Sequence, residues 1–379
     1  MFSRRAEWSA RVNRLTRVRR ELTRAGAEIL DLTISNPTQA DFDYPKDELA
    51  AIMARASRAP YRPEPLGILT ARSAVAEHLG CSAADIVLTA STSEAYSHVF
   101  KLLANPGDAI LTATPSYPLL DHLAALELVR LRTFPLEFHR RWEIDPAALR
   151  ESMSAETRAI VVVNPNNPTG SYLSGQEQAA IASLGVPVIS DEVFFDYPLA
   201  PVHSPASFAS LASTLVFVLG GLSKSAGLPH YKLGWIRLAG PDLMKREALA
   251  GLELIADSFL SVSTPVQEAL PELLVTGARI REAIARRTAS NLDHLRNEVA
   301  AARGSSVLPV EGGWSAVIRV PRTSSDEELA IVLLERDHVA VHPGYFFDFA
   351  SDGFLVVSLL TPPDTFAEGV ARILKGLPS

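Results

Sequence analysis

The 379-residue chain has a single cysteine, Cys81, which excludes an internal disulfide framework and a cysteine-built metal cluster. Cys81 itself reads as a small buried residue rather than a nucleophile. No apolar run approaches the roughly 20 residues that a membrane-spanning helix requires. An excess of positive charge is also missing. The 36 lysines and arginines face 43 aspartates and glutamates, for a net charge of −7, so the total carries no nucleic-acid footprint. What remains is ordinary globular material, 47% hydrophobic and 21% charged. The chain is long enough for one large or two medium domains and for a core that needs no staples. Arg4, Arg5, Arg11, Arg14, Arg17, Arg19, Arg20 and Arg24 crowd the N-terminus, interrupted by Glu7 and Glu21. With no small-residue cleavage site after an apolar core, this stretch reads as a solvated or subunit-contacting helix, and the expected compartment is cytoplasmic.

From about Asp85 to Leu238, short apolar runs alternate with helical segments. The clearest runs are Ile86–Leu88, Ala109–Leu111, Ala159–Val163, Val186–Ile189, Leu215–Leu219 and Leu233–Leu238. Apolar throughout and bounded by turn residues, they fit strands of a mostly parallel sheet buried on both faces. One helix is expected after Ser93, with Ala95, Val99, Leu102 and Leu103 on one face and a stop at Asn105-Pro106-Gly107. Ser174-Gly175-Gln176-Glu177 opens another with a capping-box pattern. After about Asp257 a long charged helical region runs from roughly Pro265 to Ala302. Val307–Val320 and Val339–Leu360 then read as strands of a second, smaller α+β unit.

The residues that carry chemistry sit where these strands end. Lys224 follows the run Leu215–Leu219 and is surrounded by small residues in Gly221-Leu222-Ser223-Lys224-Ser225-Ala226-Gly227, with a second cation, Lys232, eight positions on. A lysine that forms an imine with an aldehyde cofactor suits this setting: small neighbours admit the cofactor to the backbone, and the second cation meets its phosphate. Two surface lysines after a buried strand fit the same residues. Asn164-Pro165-Asn166-Asn167-Pro168-Thr169-Gly170 lies at the C-terminal end of a buried strand, where open α/β sheets bind ligands, and leaves an Asn side chain to hydrogen-bond. Asp191, in Ser190-Asp191-Glu192-Val193-Phe194-Phe195-Asp196-Tyr197, leaves an apolar strand as a carboxylate that needs a partner; a pyridinium nitrogen would supply one, as would a structural ion pair. Thr89-Ala90-Ser91-Thr92-Ser93-Glu94 is a strand-to-helix junction that binds phosphate through unpaired amides and hydroxyls, or simply caps a helix at Ser93. Tyr117, in Thr114-Pro115-Ser116-Tyr117-Pro118, stacks on a cofactor ring or fills a half-buried core position.

Taken together and in this order, these motifs resemble the class I/II aminotransferases of fold type I, over nearly the whole chain from Asp31 to Leu360. The resemblance implies an α/β fold: a large domain with a mostly parallel central sheet flanked by helices, and a smaller α+β domain. Residues 1–45 would form the N-terminal arm and the start of the small domain, 46–262 the large cofactor-binding domain and 263–379 the C-terminal small domain. It implies pyridoxal 5′-phosphate as the cofactor and no metal. Lys224 would carry the cofactor as an imine and move the proton between substrate and cofactor. Asp191 would pair with the ring nitrogen, Asn167 would hydrogen-bond the ring oxygen and Tyr117 would stack on the ring. Ser91, Thr92, Ser93 and Lys232 would surround the phosphate; Lys232 stands where the family usually has arginine, keeping the charge but losing the planar fork. Tyr61, in Tyr61-Arg62-Pro63-Glu64-Pro65-Leu66-Gly67, resembles the tyrosine that reaches the phosphate of a neighbouring subunit, which implies a homodimer with shared active sites.

Three departures from that pattern stand out. Phe194 replaces the tyrosine of the Asp-Glu-Val-Tyr pattern, with Tyr197 near enough in sequence to substitute for its hydroxyl. Gly221 stands where a phosphate-binding serine is common. Leu355 or Val356 occupies the strand position that usually carries an arginine for the substrate carboxylate, leaving Arg62, Arg319 and His342 as replacements. Gly312-Gly313-Trp314-Ser315 and Gly344–Phe349 are expected to shape the substrate pocket or to pack in the core. The function implied is amino-group transfer between an amino acid and a 2-oxo acid, with no nucleic-acid or membrane partner. A lyase, decarboxylase or oxidase on the same scaffold is the alternative. A ligand-sensing domain without turnover is a third reading, for which about thirty residues before Asp31 are too few to add a DNA-binding domain.

Overall fold

A computed structural model describes residues 3, 5, 13–199, 205–211, 213–302 and 304–377. Its strands in chain order are β1 (Leu30–Asp31), β2 (Ile86–Thr89), β3 (Ala109–Thr114), β4 (Arg130–Phe138), β5 (Trp142–Ile144), β6 (Thr157–Val163), β7 (Val188–Asp191), β8 (Val216–Gly221), β9 (Gly234–Ala239), β10 (Ser306–Val307), β11 (Ser315–Arg319), β12 (Val339–Ala340), β13 (His342–Pro343) and β14 (Phe354–Ser358).

Eight of them form one sheet in the order β2-β9-β8-β7-β6-β3-β4-β5. Its centre, β8-β7-β6-β3-β4, is parallel, while β9 and β5 run antiparallel to their neighbours. The apolar runs form these strands because both faces are covered. Val161, Ile189 and Phe217 pack on one side with Val99 and Phe100 of the helix Thr92–Leu103, and Ile160, Val162, Val188 and Val218 pack on the other with Leu149 and Ile181. The chain leaves β3 outward to β4 and β5, then returns on the far side of β3 with β6. The β3/β6 boundary is therefore the topological switch point, where ligands of such sheets bind beyond the carboxyl ends.

Strand β4 escapes a search for continuous apolar runs. Near the sheet edge only Phe134 is fully buried, and its sequence mixes Arg130, Arg132 and Glu137 with Leu131 and Phe134. Four strand starts also differ from the expected ones by one or two residues, β6 beginning at Thr157, β7 at Val188, β8 at Val216 and β9 at Gly234. The helix expected after Ser93 spans Thr92–Leu103, and its cap is Ser91, whose hydroxyl accepts the Glu94 N–H. The capping box at Ser174 and Glu177 forms with both of its hydrogen bonds.

Beyond the large sheet, β10, β11, β14 and β13 make a second, antiparallel sheet, and β1 pairs with β12. One helix, Thr264–Ala301, serves both sheets. At 38 residues it is about 57 Å long. Its Leu273, Ile280 and Ile284 pack with Leu222, Ala226 and Leu228 beside the large sheet, and its Leu292, Leu295 and Val299 pack with Ile318 and Leu355 of the small one. The arginine-rich N-terminal stretch is helical over Arg14–Arg24 and lays Leu15, Val18 and Leu22 on Ile331 and Leu334; Arg4 and Arg11 lie outside the described residues.

Phe217, the second residue of β8, is fully buried. Phe217→Ala is expected to lower stability by about 3–5 kcal/mol, read as a fall in the urea unfolding midpoint.

Candidate functional site

The carboxyl ends of β6, β7 and β8 lie side by side, with Val163 opposite Asp191 and Asp191 opposite Leu219. Asp191 is the last residue of β7. Five residues beyond Leu219, Lys224 sits in the short helix Leu222–Ser225. Both residues are half-buried by surface exposure, with their charged groups set deep enough to be largely desolvated, and each feels the other's charge. Burial pushes the Asp191 carboxyl up to about 6, opposed by the N–H of Val193, the hydroxyl of Tyr96 and the Lys224 cation. Burial brings the Lys224 amine down to about 8, opposed by Asp191. The Tyr96 hydroxyl donates to Asp191 Oδ2 at 2.9 Å, and Val193 N donates to Oδ1 at 3.1 Å. Two aromatic rings flank the amine: Lys224 Nζ is 4.8 Å from the Trp314 ring centre and 5.6 Å from that of Phe194.

The other motifs converge on the same end of the sheet. Asn164 N donates to Asp191 O at 2.8 Å, and Asn166 Nδ2 donates to Pro115 O at 3.0 Å. The loop bearing Asn167 is thereby tied to β7 on one side and to the Tyr117 segment on the other. Asn167 is half-buried. Tyr117 is 46% exposed, and its hydroxyl lies within the field of Asp191. Ser116 N donates to Phe347 O at 2.9 Å, so the aromatic turn Gly344–Phe347 borders Tyr117.

A cradle of bare backbone forms around Ser91 and Thr92. A Cβ on Gly234 would come within 2.9 Å of the Ser91 carbonyl carbon and 3.0 Å of Thr92 N. One on Gly221 would come within 3.1 Å of Gly234 Cα and 3.5 Å of Thr92 Oγ1. Two strand ends thus close on the first turn of Thr92–Leu103, whose leading N–H groups have no intrahelical partners. Such a place suits an anion. Lys232 stands at the mouth, exposed and with a left-handed φ of 52°, immediately before Leu233 and Gly234. A phosphate fits the cradle, an aldehyde fits the amine with lowered pKa, and a protonated ring nitrogen fits the buried carboxylate, so the residues present match a phosphorylated pyridine aldehyde. Among the described residues no group of three or more His, Cys, Asp or Glu side chains gathers to hold a metal.

Several expected positions lie elsewhere. Tyr61 is 67% exposed and shares a surface crevice with Arg62, Leu260 and Ser261, away from Lys224. The Tyr197 hydroxyl does not substitute for the one missing at Phe194. It is fully buried and donates to the Lys224 carbonyl oxygen at 2.6 Å. In β14, Leu355 packs against the helices of the small layer, and Val356 packs with Trp142, Phe347 and Phe349. Of the three replacement cations, Arg62 is exposed and 3.8 Å from Glu268, and Arg319 is exposed at the end of β11. His342 packs against Phe346 and Phe347, where burial lowers its pKa and keeps it neutral.

Residues that the motifs do not single out also belong here. Tyr96, on the helix behind the phosphate cradle, orients Asp191. Its hydroxyl in an otherwise apolar helix face is the one trace it leaves in the sequence. Trp314 was expected at a substrate pocket or in the core, and its place beside Lys224 follows from the approach of Gly312-Gly313 to the turn after β7, where Gly313 N donates to Tyr197 O at 2.9 Å.

The desolvated Asp191 carboxyl has a consequence for pH. Its ordinary value, 3.8, applies to the unfolded chain, and burial raises it to about 6 in the folded protein. Between those values the folded protein keeps a proton that the unfolded chain has released, so stability falls as pH rises through that window. In cofactor-free protein, Asp191→Asn is expected to add up to about 3 kcal/mol at pH 8 and nothing near pH 3. Urea unfolding at the two pH values reads this, and an equal gain at both defeats it.

The comparisons with known proteins agree with this geometry. A family model described as aminotransferase class I and II matches residues 27–373. Nicotianamine aminotransferase 1 of Oryza sativa subsp. japonica is 34% identical over 228 residues, 56% of this chain and 45% of that protein. The chain spans about half the length of the curated nicotianamine aminotransferases it matches. Glutamate-pyruvate aminotransferase AlaA of Haemophilus influenzae is 27% identical over 357 residues, 89% of this chain and 88% of that protein. Among solved structures, an alanine aminotransferase from Pyrococcus furiosus is similar with a TM-score of 0.88 at 25% identity, over 99% of each chain. The chain belongs to the aminotransferase class I and II family, whose members have the fold type I architecture and depend on pyridoxal 5′-phosphate.

Proposed function

We propose that this protein is an aminotransferase that moves an amino group between an amino acid and a 2-oxo acid. The observation that carries the reading is the desolvated pair of Lys224 and Asp191 on adjacent strand ends, with the glycine-lined cradle beside them. When bound, pyridoxal phosphate supplies an aldehyde that takes up amino groups and a ring that accepts electrons. The protein's part is to hold and aim it. Lys224 is the attachment point and the proton carrier at the reacting carbon. With a pKa of about 8, it presents two to three powers of ten more free amine at pH 7 than a surface lysine, on the order set by the usual 10.4. Asp191, held by Tyr96 and Val193, keeps the ring nitrogen protonated. Asn167 holds the ring oxygen, Tyr117 covers the ring face, and Ser91, Thr92, Ser93 and Lys232 hold the phosphate. With phenylalanine at 194, the ring oxygen has no hydroxyl partner from that position. The lyase, decarboxylase and oxidase readings have no support of their own in the site geometry.

Borohydride treatment of the loaded protein is expected to fix the cofactor on Lys224, as located by peptide mass spectrometry, and Lys224→Ala is expected to abolish that attachment. An amino donor supplied alone is expected to bleach the visible band, and a 2-oxo acid to restore it. Release of ammonia or carbon dioxide in place of that cycle would overturn the transfer reading.

A homodimer that shares its active sites completes the proposal. Large apolar side chains stand on the surface: Leu254 is 73% and Val275 75% exposed, Phe259 is exposed, and Tyr61 is exposed beside Leu260. A surface of this kind is covered by a partner more often than left in water. A second copy would bring Tyr61 to the neighbouring phosphate. The double variant Leu254→Glu, Phe259→Glu is expected to sediment as a monomer and to lose cofactor faster, whereas a monomeric wild type defeats the proposal.

A further inference from the structure

The helix that carries Lys224 is four residues long, Leu222–Ser225, and has few backbone partners of its own: Ala226 N and Leu228 N donate to Leu222 O, and Gly227 N donates to Lys224 O at 3.1 Å. Three side chains from three distant parts of the chain add donors to the carbonyls of this helix and of Gly227 just beyond it. The Tyr197 hydroxyl donates to Lys224 O at 2.6 Å. Arg281 Nη1 donates to Ser225 O at 3.2 Å. The Tyr44 hydroxyl donates to Gly227 O at 2.6 Å. Tyr197 comes from the turn after β7, Arg281 from the long helix Thr264–Ala301, and Tyr44 from the segment before the helix Lys46–Ala56.

These donors are themselves held. Arg281 lies 3.6 Å from Asp196, the residue next to Tyr197, and His78 approaches Asp196 at 3.7 Å. The Tyr197 ring packs edge-on against Trp314 at 5.0 Å, so the hydroxyl that grips the Lys224 backbone and the ring that covers the Lys224 amine form one unit. The long helix presses close as well, since a Cβ on Gly277 would come within 2.4 Å of Ala226 Cβ.

We propose that Tyr197, Arg281 and Tyr44 are positioning residues that clamp the Lys224 segment by its carbonyls and so set the depth and direction of the Lys224 amine in the site. None of the three reaches the amine; each acts through the backbone. Without its side-chain donor the Lys224 carbonyl keeps only the 3.1 Å bond from Gly227 N, and the Ser225 or Gly227 carbonyl loses the side-chain bond that holds it, so the segment shifts to recover a partner or water. Asp191 is the charged group that faces the amine, and Asp196, His78 and Arg281 form a second set behind Ser225. When the segment slackens, water reaches the amine and its affinity for a proton returns toward that of an ordinary lysine. The consequence for catalysis rests on Lys224 being the cofactor's attachment point, whereas the effect on the amine does not.

The test uses the full chain without cofactor. Pulse acylation with acetic anhydride over a range of pH, read by peptide mass spectrometry, gives the pH at which Lys224 becomes reactive. The neutral variants Tyr197→Phe and Tyr44→Phe, which keep ring and charge, are expected to raise that midpoint enough to cut free amine at pH 7 at least about threefold. Both are also expected to release bound cofactor faster, by up to about tenfold for one lost buried hydrogen bond. Arg281→Lys, which keeps a cation opposite Asp196, is expected to stay nearer the wild type than Arg281→Leu. A lowered unfolding temperature with an unmoved midpoint in both tyrosine variants would assign these residues a purely structural role and overturn the proposal. If borohydride fixes no cofactor on wild-type Lys224 while the midpoints still move, the aminotransferase reading fails and the clamp stands.

Discussion

Two ionisable side chains taken out of water at the ends of adjacent strands set the terms for the rest of this structure. Asp191 and Lys224 are each destabilised by burial and only partly relieved by one another, as their shifted proton affinities record. A protein keeps such a pair only where surrounding groups hold it in place and where something else uses it. The neighbours here answer the first need. Tyr96 and Val193 hold the carboxylate, and the Trp314 and Phe194 rings flank the amine. The parallel strands answer it too. Apolar on both faces and paired in register, β6, β7 and β8 form a rigid base from which the two side chains project in fixed relation.

The second constraint is that the lysine segment has to be irregular. A side chain at Gly221 or Gly234 would press on Ser91, Thr92 and the neighbouring strand end. The chain uses glycines there and a helix of four residues, then adds donors from elsewhere to the carbonyls of that segment. The long helix Thr264–Ala301 is central to this arrangement. It packs with both sheets and also supplies Arg281 to Ser225, so the position of the small layer and that of the lysine segment are mechanically linked through one rigid element.

How legible the protein was in its sequence depended on the kind of residue. Buried parallel strands announce themselves as uninterrupted apolar runs, and all six of the expected runs lie in or overlap strands of the large sheet. The near-edge strand β4 did not, because most of its residues are only partly covered and its polar residues break the run. Of the residues proposed for the site, Lys224, Asp191, Asn167 and Ser91–Ser93 stand out in the sequence because each sits at or just past a strand end among glycines, prolines and caps, which mark backbone geometry directly. Tyr96, Tyr44 and Arg281 left no such mark, and Trp314, beside Gly312-Gly313, read as pocket or core with no link to Lys224. A tyrosine on a helix or an arginine among many looks the same whether it orients a carboxylate, caps a carbonyl or meets solvent. Tyr197 illustrates the point. In sequence it stands near enough to Phe194 to replace a lost hydroxyl, yet the turn after β7 sends it under the lysine backbone instead.

By itself the sequence determined the alternation of buried strands and helices, the strand ends that bear polar groups, and the family resemblance those groups carry, since all of these rest on residue type and local spacing. Only the tertiary structure decided what surrounds the lysine: that an indole 90 positions later covers its amine, that a hydroxyl 95 positions before Asp191 holds that carboxylate, and that donors 27, 56 and 183 positions away hold the lysine segment by its carbonyls. The physical reason is one of range. Backbone preference is written within a few residues, whereas a hydrogen bond or ring contact needs side chains to meet within a few ångströms, and packing alone sets which ones do.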